Sequence, residues 1–272
     1  MSPEVIEAAF VDACRAELEA LKPGNVHVHS DGHGLTVADF LKCAEAAAPS
    51  IAQEGARVGE RILGAVEATR EAVGQNTNLG IILLAAPLAA AAEHKVGREL
   101  RRALRAVLAN LDEEDAELCF QAIALANPGG LGTLPEHDVR DPAEITLLEA
   151  MRLASARDRI AKQYITAFAD IFDTGLAAAR SAATPFEAAA KVYWRFLTTT
   201  PDSHIARKFG PSEAKAVRRL AQDIDRELKS LREGRDRTLL LLKLDAQLKA
   251  QGLNPGTTAD LTVATLFARD LS

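Results

Sequence analysis

The sequence has few aromatic residues, few cysteines and no excess of basic residues. Aromatic side chains make up 4% of the 272 residues, although 48% of the chain is hydrophobic. Its core must therefore be built from Ala, Leu, Ile and Val, and alanine-rich segments without alternating apolar residues favour closely packed helices. The composition predicts an all-α protein.

The other shortages exclude several classes of protein. The formal net charge of −6 argues against a general nucleic-acid binder, which would be basic. Cys14, Cys43 and Cys119 are odd in number and lack metal-ligand spacing, as expected for small core residues of a reduced, cytoplasmic protein. The opening residues 1–4 lack the basic segment of a signal peptide. We expect neither a redox cofactor nor a transition metal, and no linker divides residues 1–272, which predicts a single domain.

The most apolar stretch is Leu79 to Ala92, which contains no charged or polar side chain. A helix without a polar face is typically buried on all sides, so this one is predicted to lie at the centre. It is shorter than the roughly 20 residues that span a membrane, and no membrane association is expected. Asn76, Thr77 and Asn78 precede it. Because a helix N-terminus favours anions and a single residue suffices as a cap, three polar residues favour a ligand site over a plain N-cap.

Three Pro-Gly turns, each beside an asparagine, occur at predicted helix ends: Lys22-Pro23-Gly24-Asn25, Asn127-Pro128-Gly129 and Asn254-Pro255-Gly256. Their unequal spacing does not fit a solenoid repeat, so we expect them to meet at one cleft. Three histidines, including His27, follow the first turn. They lack firm metal-ligand spacing, which favours a phosphate-binding loop with Lys22. After the third turn, Thr257 and Asp260 have the spacing of a capping box.

Carboxylates within apolar stripes are the next candidates. Glu17 lies on the apolar stripe of the first helix, where a charge reaching solvent at the helix edge is an equal alternative. Asp158 falls inside the stripe of a long helix predicted after Pro142 and continuing through Phe172. Since an isolated buried charge is costly, function is favoured for Asp158. Thr36 is predicted to cap another long helix, with Asp39 in its first turn.

Two late segments complete the pattern. Asp202, Arg207 and Lys208 stand shortly before Gly210-Pro211. This grouping suits a phosphate or metal–phosphate contact, and an equal alternative is a helix C-terminus whose basic residues complement the dipole. Further on, the run Leu239-Leu240-Leu241-Leu242 predicts another buried helix over Thr238 to Leu248.

Three motifs occur in the order found in the triphosphoribosyl-dephospho-CoA synthase family, which the chain resembles over nearly its whole length. They are Lys22-Pro23-Gly24-Asn25-Val26-His27, Asn76-Thr77-Asn78-Leu79-Gly80 and Asn254-Pro255-Gly256-Thr257-Thr258-Ala259-Asp260-Leu261. The resemblance implies an all-helical transferase that uses ATP and 3′-dephospho-CoA. Such an enzyme releases adenine and joins the triphosphoribosyl unit to a ribose hydroxyl.

The chain departs from the family pattern in its central motif. Typical synthases have Asn-Thr-His-Lys-Gly where this chain has Asn76-Thr77-Asn78-Leu79-Gly80. It also lacks the histidine-rich late segment of typical members. In both respects it is similar to a variant branch found in methanogens and methylotrophic bacteria. For that branch, an alternative is transfer of a phosphoribosyl group to a ribitol hydroxyl in tetrahydromethanopterin biosynthesis.

The resemblance and the required chemistry assign expected roles to particular residues. A carboxylate near the reacting ribose stabilises oxocarbenium character, and an acceptor hydroxyl needs a general base. The candidate catalytic residues are Asp158, Glu17 and Asp39, and the expected cofactor is Mg²⁺ carried by the nucleotide, with Asp31 and Asp158 as its candidate ligands. The candidate substrate-binding residues are Lys22, Asn25, His27, Asn76, Thr77, Asn78, Asp202, Arg207, Lys208, Asn254, Gly256, Thr257, Thr258 and Asp260.

The expected partners are ATP or another phosphoribosyl donor and a hydroxyl acceptor. A homodimer is an assembly that the sequence leaves open. A helical protein that binds a nucleotide without turning it over is the alternative from a different class, favoured by the loss of the family's histidine and lysine. Release of adenine from magnesium-ATP would separate the two classes.

Overall fold

A computed structural model describes residues 1–30, 34, 36–75, 77–94, 99–129, 137–232 and 234–272. Within these ranges the regular structure consists of fourteen α-helices and one π-helical segment. The first seven helices are α1 (Pro3–Glu19), α2 (Val37–Ala52), α3 (Val58–Val73), α4 (Leu79–Glu93), α5 (Leu100–Ala109), α6 (Glu113–Ala126) and α7 (Leu147–Ala154). The others are α8 (Arg159–Ile165), α9 (Leu176–Ala179), α10 (Pro185–Thr199), α11 (Ser203–Phe209), α12 (Pro211–Ser230), α13 (Arg235–Ala250) and α14 (Gly256–Asp270). The all-α prediction is confirmed.

Helix α4 lies at the centre of the larger of two hydrophobic clusters. All of its apolar residues from Leu79 to Ala92 are buried apart from Gly80, which is partly buried. Helices α1, α2, α3, α5 and α14 pack around it. The Tyr164 hydroxyl donates a hydrogen bond of 2.6 Å to the Leu83 carbonyl, so α8 is tied to α4 as well. The lack of a polar face in the sequence correctly predicted this central position.

A second, smaller cluster forms where α10 to α14 meet. Tyr193 and Leu197 of α10 pack with Val217 of α12, Leu248 of α13 and Ala259 of α14. Two polar contacts strengthen this region, because the indole of Trp194 donates to Asp225 over 2.8 Å and Gln222 donates to the Thr198 carbonyl over 2.8 Å. This cluster supports the start of α14, which carries the third Pro-Gly turn.

The prediction of one long helix after Pro142 is wrong. Helix α7 ends at Ala154, Asp158 caps the separate helix α8, and a π-helical segment spans Asp170–Gly175. The Asp158 carboxylate accepts hydrogen bonds from two backbone N–H groups, which is the competition with the helix ladder expected of a short polar side chain. Positive φ values at Ala167 and Phe168 then end α8.

The prediction of a buried helix over Thr238 to Leu248 is wrong for its first half. Helix α13 forms, but Leu239 is 52% exposed and Leu240 to Leu242 are only partly buried. Only Leu244, Asp245 and Leu248 are buried. The run of four leucines covers every direction around the helix, and only the C-terminal half of α13 packs against the second cluster. Among the described residues, no helix is both long and apolar enough to cross a membrane.

Candidate active site

A cavity of about 1530 Å³ lies where several helix ends meet. Its wall includes residues from the end of α1 and from the starts of α4, α8, α11 and α14, segments far apart in the sequence. Pockets for a single small ligand occupy roughly 300–1,000 Å³. The cavity therefore has room for two substrates side by side.

Most of the predicted site residues reach this cavity. The residues on its wall are Glu17, Asn25, Thr77, Asn78, Asp158, Arg207, Lys208, Asn254, Gly256, Thr257 and Asp260. Those not on the wall are Lys22, His27, Asp39, Asp202 and Thr258. Asp31 and Asn76 lie outside the described residues. The expectation that the three Pro-Gly turns meet at one cleft agrees with the wall positions of Asn25, Asn127 and Asn254.

A chain of buried polar side chains runs from α1 to the third Pro-Gly turn. Lys22 forms a salt bridge with Glu17 and donates to the Asn25 side-chain oxygen over 3.0 Å. The Asn25 amide in turn donates to the Asn254 side-chain oxygen over 2.8 Å. Burial lowers the pKa of Lys22 and raises that of Glu17, and the opposite charge of each partner offsets part of that effect. This chain fixes the orientation of two asparagines on the cavity wall.

Lys22 is therefore not the phosphate ligand that the sequence suggested. Its side chain is 0% exposed and its ammonium group lies behind Asn25, bound to Glu17. A lysine that binds phosphate must present its ammonium group to the cavity. The structure instead gives Lys22 the role of orienting Asn25 and neutralising Glu17.

The first Pro-Gly turn is held from three sides. Gly24 has φ +87°, and a Cβ atom there would lie 2.9 Å from Cδ of Pro255, so only glycine allows the two turns to touch. The Tyr193 hydroxyl donates to the Pro23 carbonyl over 2.8 Å. Asp245 of α13 accepts from the Gly24 N–H over 2.8 Å and from Lys249 over 3.1 Å. The position of Asn25 at the cavity is thus set by distant helices.

His27 is also part of this support and does not contact the cavity. Its Nδ1 accepts from the His29 N–H over 3.2 Å, and its Nε2 lies 3.4 Å from Asp245. Burial lowers the pKa of His27, so the neutral ring is favoured, with its proton on the nitrogen that faces the carboxylate. The predicted substrate contact of His27 is replaced by a structural one.

Asp245 was missed in the sequence, although a usable signal was present. It follows Leu244 and precedes Leu248, both of which are buried. A carboxylate in an apolar stripe needs a partner or a function, which is the argument applied to Asp158. The run of four leucines earlier in α13 suggested that the whole helix was buried. The apolar stripe of Leu244 and Leu248 that contains Asp245 was therefore overlooked.

Asn78 occupies the N-cap position of α4 without acting as a cap. Its side chain forms no capping hydrogen bond, and it is buried on the cavity wall at the start of the central helix. Thr77 lies beside it on the same wall. An N-cap residue usually satisfies a first-turn N–H, and the Asn78 side chain does not do so here. This geometry supports the ligand-site interpretation of the motif.

The Asp260 carboxylate, from α14, packs directly against the first turn of the central helix α4. Its Oδ2 lies so near Gly80 that an added Cβ there would be 2.2 Å away, so a larger residue at position 80 would displace the carboxylate. The pKa of Asp260 is raised well above its usual range, first by burial and then by the charges of Asp202 and Glu17, with Arg207 acting in the opposite direction. The group therefore holds its proton at a pH where an exposed carboxyl would be ionised.

The capping box predicted from Thr257 and Asp260 is wrong. Helix α14 begins at Gly256 without a side-chain cap, and the Thr257 hydroxyl instead contacts the Ser203 hydroxyl over 2.9 Å. The His204 N–H also donates to the Thr257 hydroxyl over 3.1 Å. The Thr257 hydroxyl is thus bonded to residues of α11. The Asp260 carboxylate does not form a capping box with it and lies on the cavity wall.

Asp202 joins the starts of two helices and does not reach the cavity. It accepts from the Ile205 N–H over 3.0 Å at the start of α11. It also accepts from the N–H and the hydroxyl of Thr258, each over 2.8 Å, at the start of α14. These bonds occupy both carboxylate oxygens. Asp202 and Thr258 therefore position Arg207, Lys208 and Asp260 instead of contacting phosphate as predicted.

Asp158 reaches the cavity by a different route from the one predicted. It is not buried in an apolar stripe, because its side chain is 28% exposed at the N-cap of α8. One oxygen caps the helix, and the other lies 3.3 Å from the Arg207 guanidinium. Arg207 also donates to the Gly129 carbonyl of the second Pro-Gly turn over 3.0 Å. Lys208 on the same wall is exposed, with no ion-pair partner in the described part of the chain.

Asp39 is not brought to the site. Its carboxylate accepts from the N–H of Thr36 over 2.9 Å and from the Thr36 hydroxyl over 2.8 Å, which completes the capping box of α2. Both hydrogen bonds lower the pKa of Asp39. A carboxylate held in this way at a helix start suits a cap better than a general base.

Comparison with known proteins agrees with this geometry. Residues 3–272 match the family model described as ATP:dephospho-CoA triphosphoribosyl transferase (CitG). The fold is similar to a crystal structure of a candidate triphosphoribosyl-dephospho-CoA synthase from Archaeoglobus fulgidus, with a TM-score of 0.68 and 26% identity over 84% of this chain and 97% of the other. No curated protein matches the chain. Because the family match spans almost the whole sequence, the chain belongs to the ATP:dephospho-CoA triphosphoribosyl transferase family.

Proposed function

We propose that this cavity transfers the triphosphoribosyl unit of ATP to a hydroxyl acceptor, with adenine as the leaving group. The observation that carries the assignment of roles is the position of Asp260, a partly buried carboxyl group of α14 held against Gly80, where burial raises its pKa. It faces a cavity whose wall also holds a second carboxylate, Asp158, and two cationic side chains, Arg207 and Lys208. Family membership supplies the reaction class.

Asp260 suits the proton transfer that this reaction needs. As the bond between the ribose C1′ and adenine breaks, the leaving base must gain a proton, and a carboxyl group with a raised pKa can donate it. The carboxylate that remains can then accept the proton of the acceptor hydroxyl as the new C1′–O bond forms. One proton thus moves from acceptor to adenine through Asp260, which ends in its starting state.

The remaining wall residues fit the parts of a ribose polyphosphate. Asn78, Asn25 and Asn254 present amide groups that can bind ribose hydroxyls beside Asp260. Arg207 and Lys208 provide positive charge for phosphates, and Arg207 is already oriented by Asp158 and Gly129. The Asp158 carboxylate, which pairs with Arg207 on this wall, supplies negative charge that favours an oxocarbenium-like transition state.

A magnesium ion carried by the nucleotide fits this wall. Mg²⁺ is usually held by one or two carboxylates together with substrate phosphates, so a cage of protein ligands is not required. In the described residues, no group of three or more His, Cys, Asp or Glu side chains could form such a cage. Asp158 is the described residue that would hold the ion, which when bound would neutralise charge on the phosphates.

A second observation, on the central motif, supports a different acceptor as an alternative. Where typical family members have histidine and lysine, this chain places Asn78 and Leu79 on the cavity wall. Losing a cation there favours an acceptor with less negative charge than dephospho-CoA, which carries a pyrophosphate. Transfer of a phosphoribosyl group to a ribitol hydroxyl, as in tetrahydromethanopterin biosynthesis, is therefore the second candidate.

An acceptor panel separates these functions. The purified chain is incubated with magnesium-ATP or with phosphoribosyl pyrophosphate, each with dephospho-CoA or a ribitol-bearing acceptor, and the products are identified by mass spectrometry. Adenine released together with a triphosphoribosyl adduct supports the main proposal, whereas pyrophosphate release with the ribitol acceptor supports the second. Nucleotide binding without any product would favour the non-catalytic binding protein.

A further inference from the structure

The cavity wall is divided by chemistry into a polar and an apolar part. The polar part comes from the end of α1 and the starts of α8, α11 and α14. The other part, which we call the apolar lobe, is formed by α3, α4, α6 and α7. Its principal residues are Val66, Leu79, Leu83, Phe120, Ile123 and Met151.

The helices of the lobe pack directly against one another, so its side chains form one surface. Helix α3 packs against α4 and α6, and α6 packs against α7. Val66 and Thr69 of α3 and Phe120 and Ile123 of α6 are three residues apart, a spacing that places each pair on one helix face. These residues are buried or partly buried. A ligand in the lobe would be surrounded mainly by hydrocarbon.

Thr69 is the buried polar residue of this lobe, whereas the neighbouring Arg70 on the wall is exposed and donates to the Leu125 carbonyl over 2.6 Å. Thr69 lies on the cavity wall with 2% exposure, and its hydroxyl has no hydrogen-bond partner among the residues that the structure describes. Leaving a buried hydroxyl unpaired costs stability, and native proteins seldom do so without a reason. A ligand with a ring nitrogen or an amino group at this position would supply the missing partner.

We infer that the apolar lobe binds the adenine ring of a substrate, with the Thr69 hydroxyl hydrogen-bonded to the polar edge of the base. This inference rests on the proposed function, which places the reacting ribose beside Gly80, Asn78 and Asp260. Leu79 adjoins that point, and Leu83 lies one turn further along α4, about 6 Å away along the helix axis. A base joined to the ribose at Gly80 would thus extend into the lobe.

The chemistry of the lobe suits a purine better than a phosphate or a sugar. A planar heteroaromatic ring buries apolar faces and keeps polar atoms only at its edge. The buried part of the lobe offers apolar side chains and the Thr69 hydroxyl, while the exposed Arg70 donates to the Leu125 carbonyl. Both ATP and dephospho-CoA carry adenine, so the ring could come from the donor or from the acceptor. Binding of ATP and of dephospho-CoA, measured separately, distinguishes these two sources.

The test uses two variants of the full chain and three probes in titration calorimetry. Thr69→Val removes the hydroxyl with little change of shape, and Ala150→Phe adds bulk from a wall residue of α7. The probes are ATP, 3′-dephospho-CoA and inorganic tripolyphosphate. Thr69→Val is expected to weaken the adenine-bearing ligand about threefold to tenfold, the loss for one hydrogen bond, and Ala150→Phe is expected to weaken it more. Tripolyphosphate binding should not change.

The control is Thr265→Val, which removes a buried hydroxyl that is bonded to the Leu261 carbonyl and lies away from the cavity wall. It should leave all three affinities unchanged and lower the melting temperature, whereas Thr69→Val should keep or raise it. Weakening of ATP alone assigns the lobe to the donor, and weakening of dephospho-CoA alone assigns it to the acceptor. Unchanged affinities in both cavity variants, or equal loss of tripolyphosphate, would overturn the inference.

Adenine release by the wild-type chain reports separately on the proposed function. If the base-bearing probes bind with the expected dependence on Thr69 but no adenine is released from magnesium-ATP, the lobe assignment stands and the proposed transfer fails. If adenine is released but Thr69→Val and Ala150→Phe bind all probes as the wild type does, the transfer stands and the lobe assignment fails.

Discussion

Asp260 is the residue on which the chemistry depends most, because it combines a raised pKa with a position against Gly80. The carboxyl group lies close to the backbone of the central helix and within the influence of the Asp202 and Glu17 charges. Its ability to donate a proton and then accept one requires that it be present as an acid at neutral pH.

Asp260→Asn should lower turnover by about a hundredfold or more, the usual contribution of a positioned acid or base. Substrate affinity should change much less, because the amide keeps the shape of the side chain. Steady-state kinetics with adenine release as the readout would measure both quantities. A variant that retains near-normal turnover would remove Asp260 from the mechanism.

The same variant makes a prediction about stability and pH. Because the folded chain holds a proton on Asp260 that the unfolded chain releases above about pH 3.9, stability is full at low pH and falls as pH rises towards the folded pKa. Asp260→Asn removes this loss of stability. The melting temperature of the variant minus that of the wild type should therefore increase as the pH is raised. Thermal melts at several pH values would show the gain, and a constant difference between the two proteins would contradict the raised pKa.

Asp158 both caps α8 and faces the Arg207 guanidinium, and two substitutions separate these roles. Asp158→Asn keeps an oxygen to cap α8 but removes the charge facing Arg207, so stability should stay close to wild type while turnover falls about a hundredfold. Asp158→Ala should lose the cap as well, at about 1 kcal/mol. Melting temperature and turnover measured on the same preparations decide the matter. A large drop in melting with normal turnover in Asp158→Asn would show that the residue is only structural.

At the scale of elements, the buried pair of Lys22 and Glu17 links α1 to the first Pro-Gly turn. Lys22→Met leaves the Glu17 carboxylate buried without its partner and should destabilise the fold by about 3–5 kcal/mol. Adding Glu17→Gln should restore much of that loss, since no unpaired charge remains. Denaturant unfolding of the single and double variants measures the coupling.

The exposed pair of Lys191 and Glu187 provides the matched control. Its side chains are 39% and 38% exposed, and Lys191→Met should change stability by less than about 1 kcal/mol. If Lys22→Met proves as mild as Lys191→Met, the turn does not depend on the buried pair.

Asp202 should matter for two helices at once. Asp202→Ala removes the acceptor for α11 and for the start of α14, so the cost should be about 2 kcal/mol or more, with a marked loss of turnover because Arg207 and Asp260 move. Thr184→Ala removes the cap of α10 alone and should cost about 1 kcal/mol with normal turnover. Equal effects of the two substitutions in both assays would contradict a positioning role for Asp202.

The elements also show what the sequence could predict. The cap at Thr36 was predicted correctly, because the signal of a cap acts over a few residues. The break at Asp158 was missed because its apolar neighbours follow helical spacing on both sides. Thr257 bonds to α11, and Lys22 pairs with Glu17. Both contacts depend on how the chain folds in three dimensions, and the spacing of residues along the sequence does not reveal them.

At the scale of the whole molecule, the fold brings the end of α1 and the starts of α4, α8, α11 and α14 to one cavity. The buried central helix α4 forms part of the cavity wall. The Pro-Gly turns can approach each other closely, as at Gly24 and Pro255. Room for two substrates, carboxylates at the junction and cations at one side are together what transfer between a nucleotide and an alcohol requires.

The most direct test of this account is a crystal structure of Asp260→Asn bound to ATP and magnesium, since the substitution should permit binding without turnover. We expect the ribose of ATP to lie against Gly80, Asn78 and residue 260, with the phosphates near Arg207 and Lys208. ATP bound outside this cavity, or with its phosphates where the ribose is predicted, would contradict it.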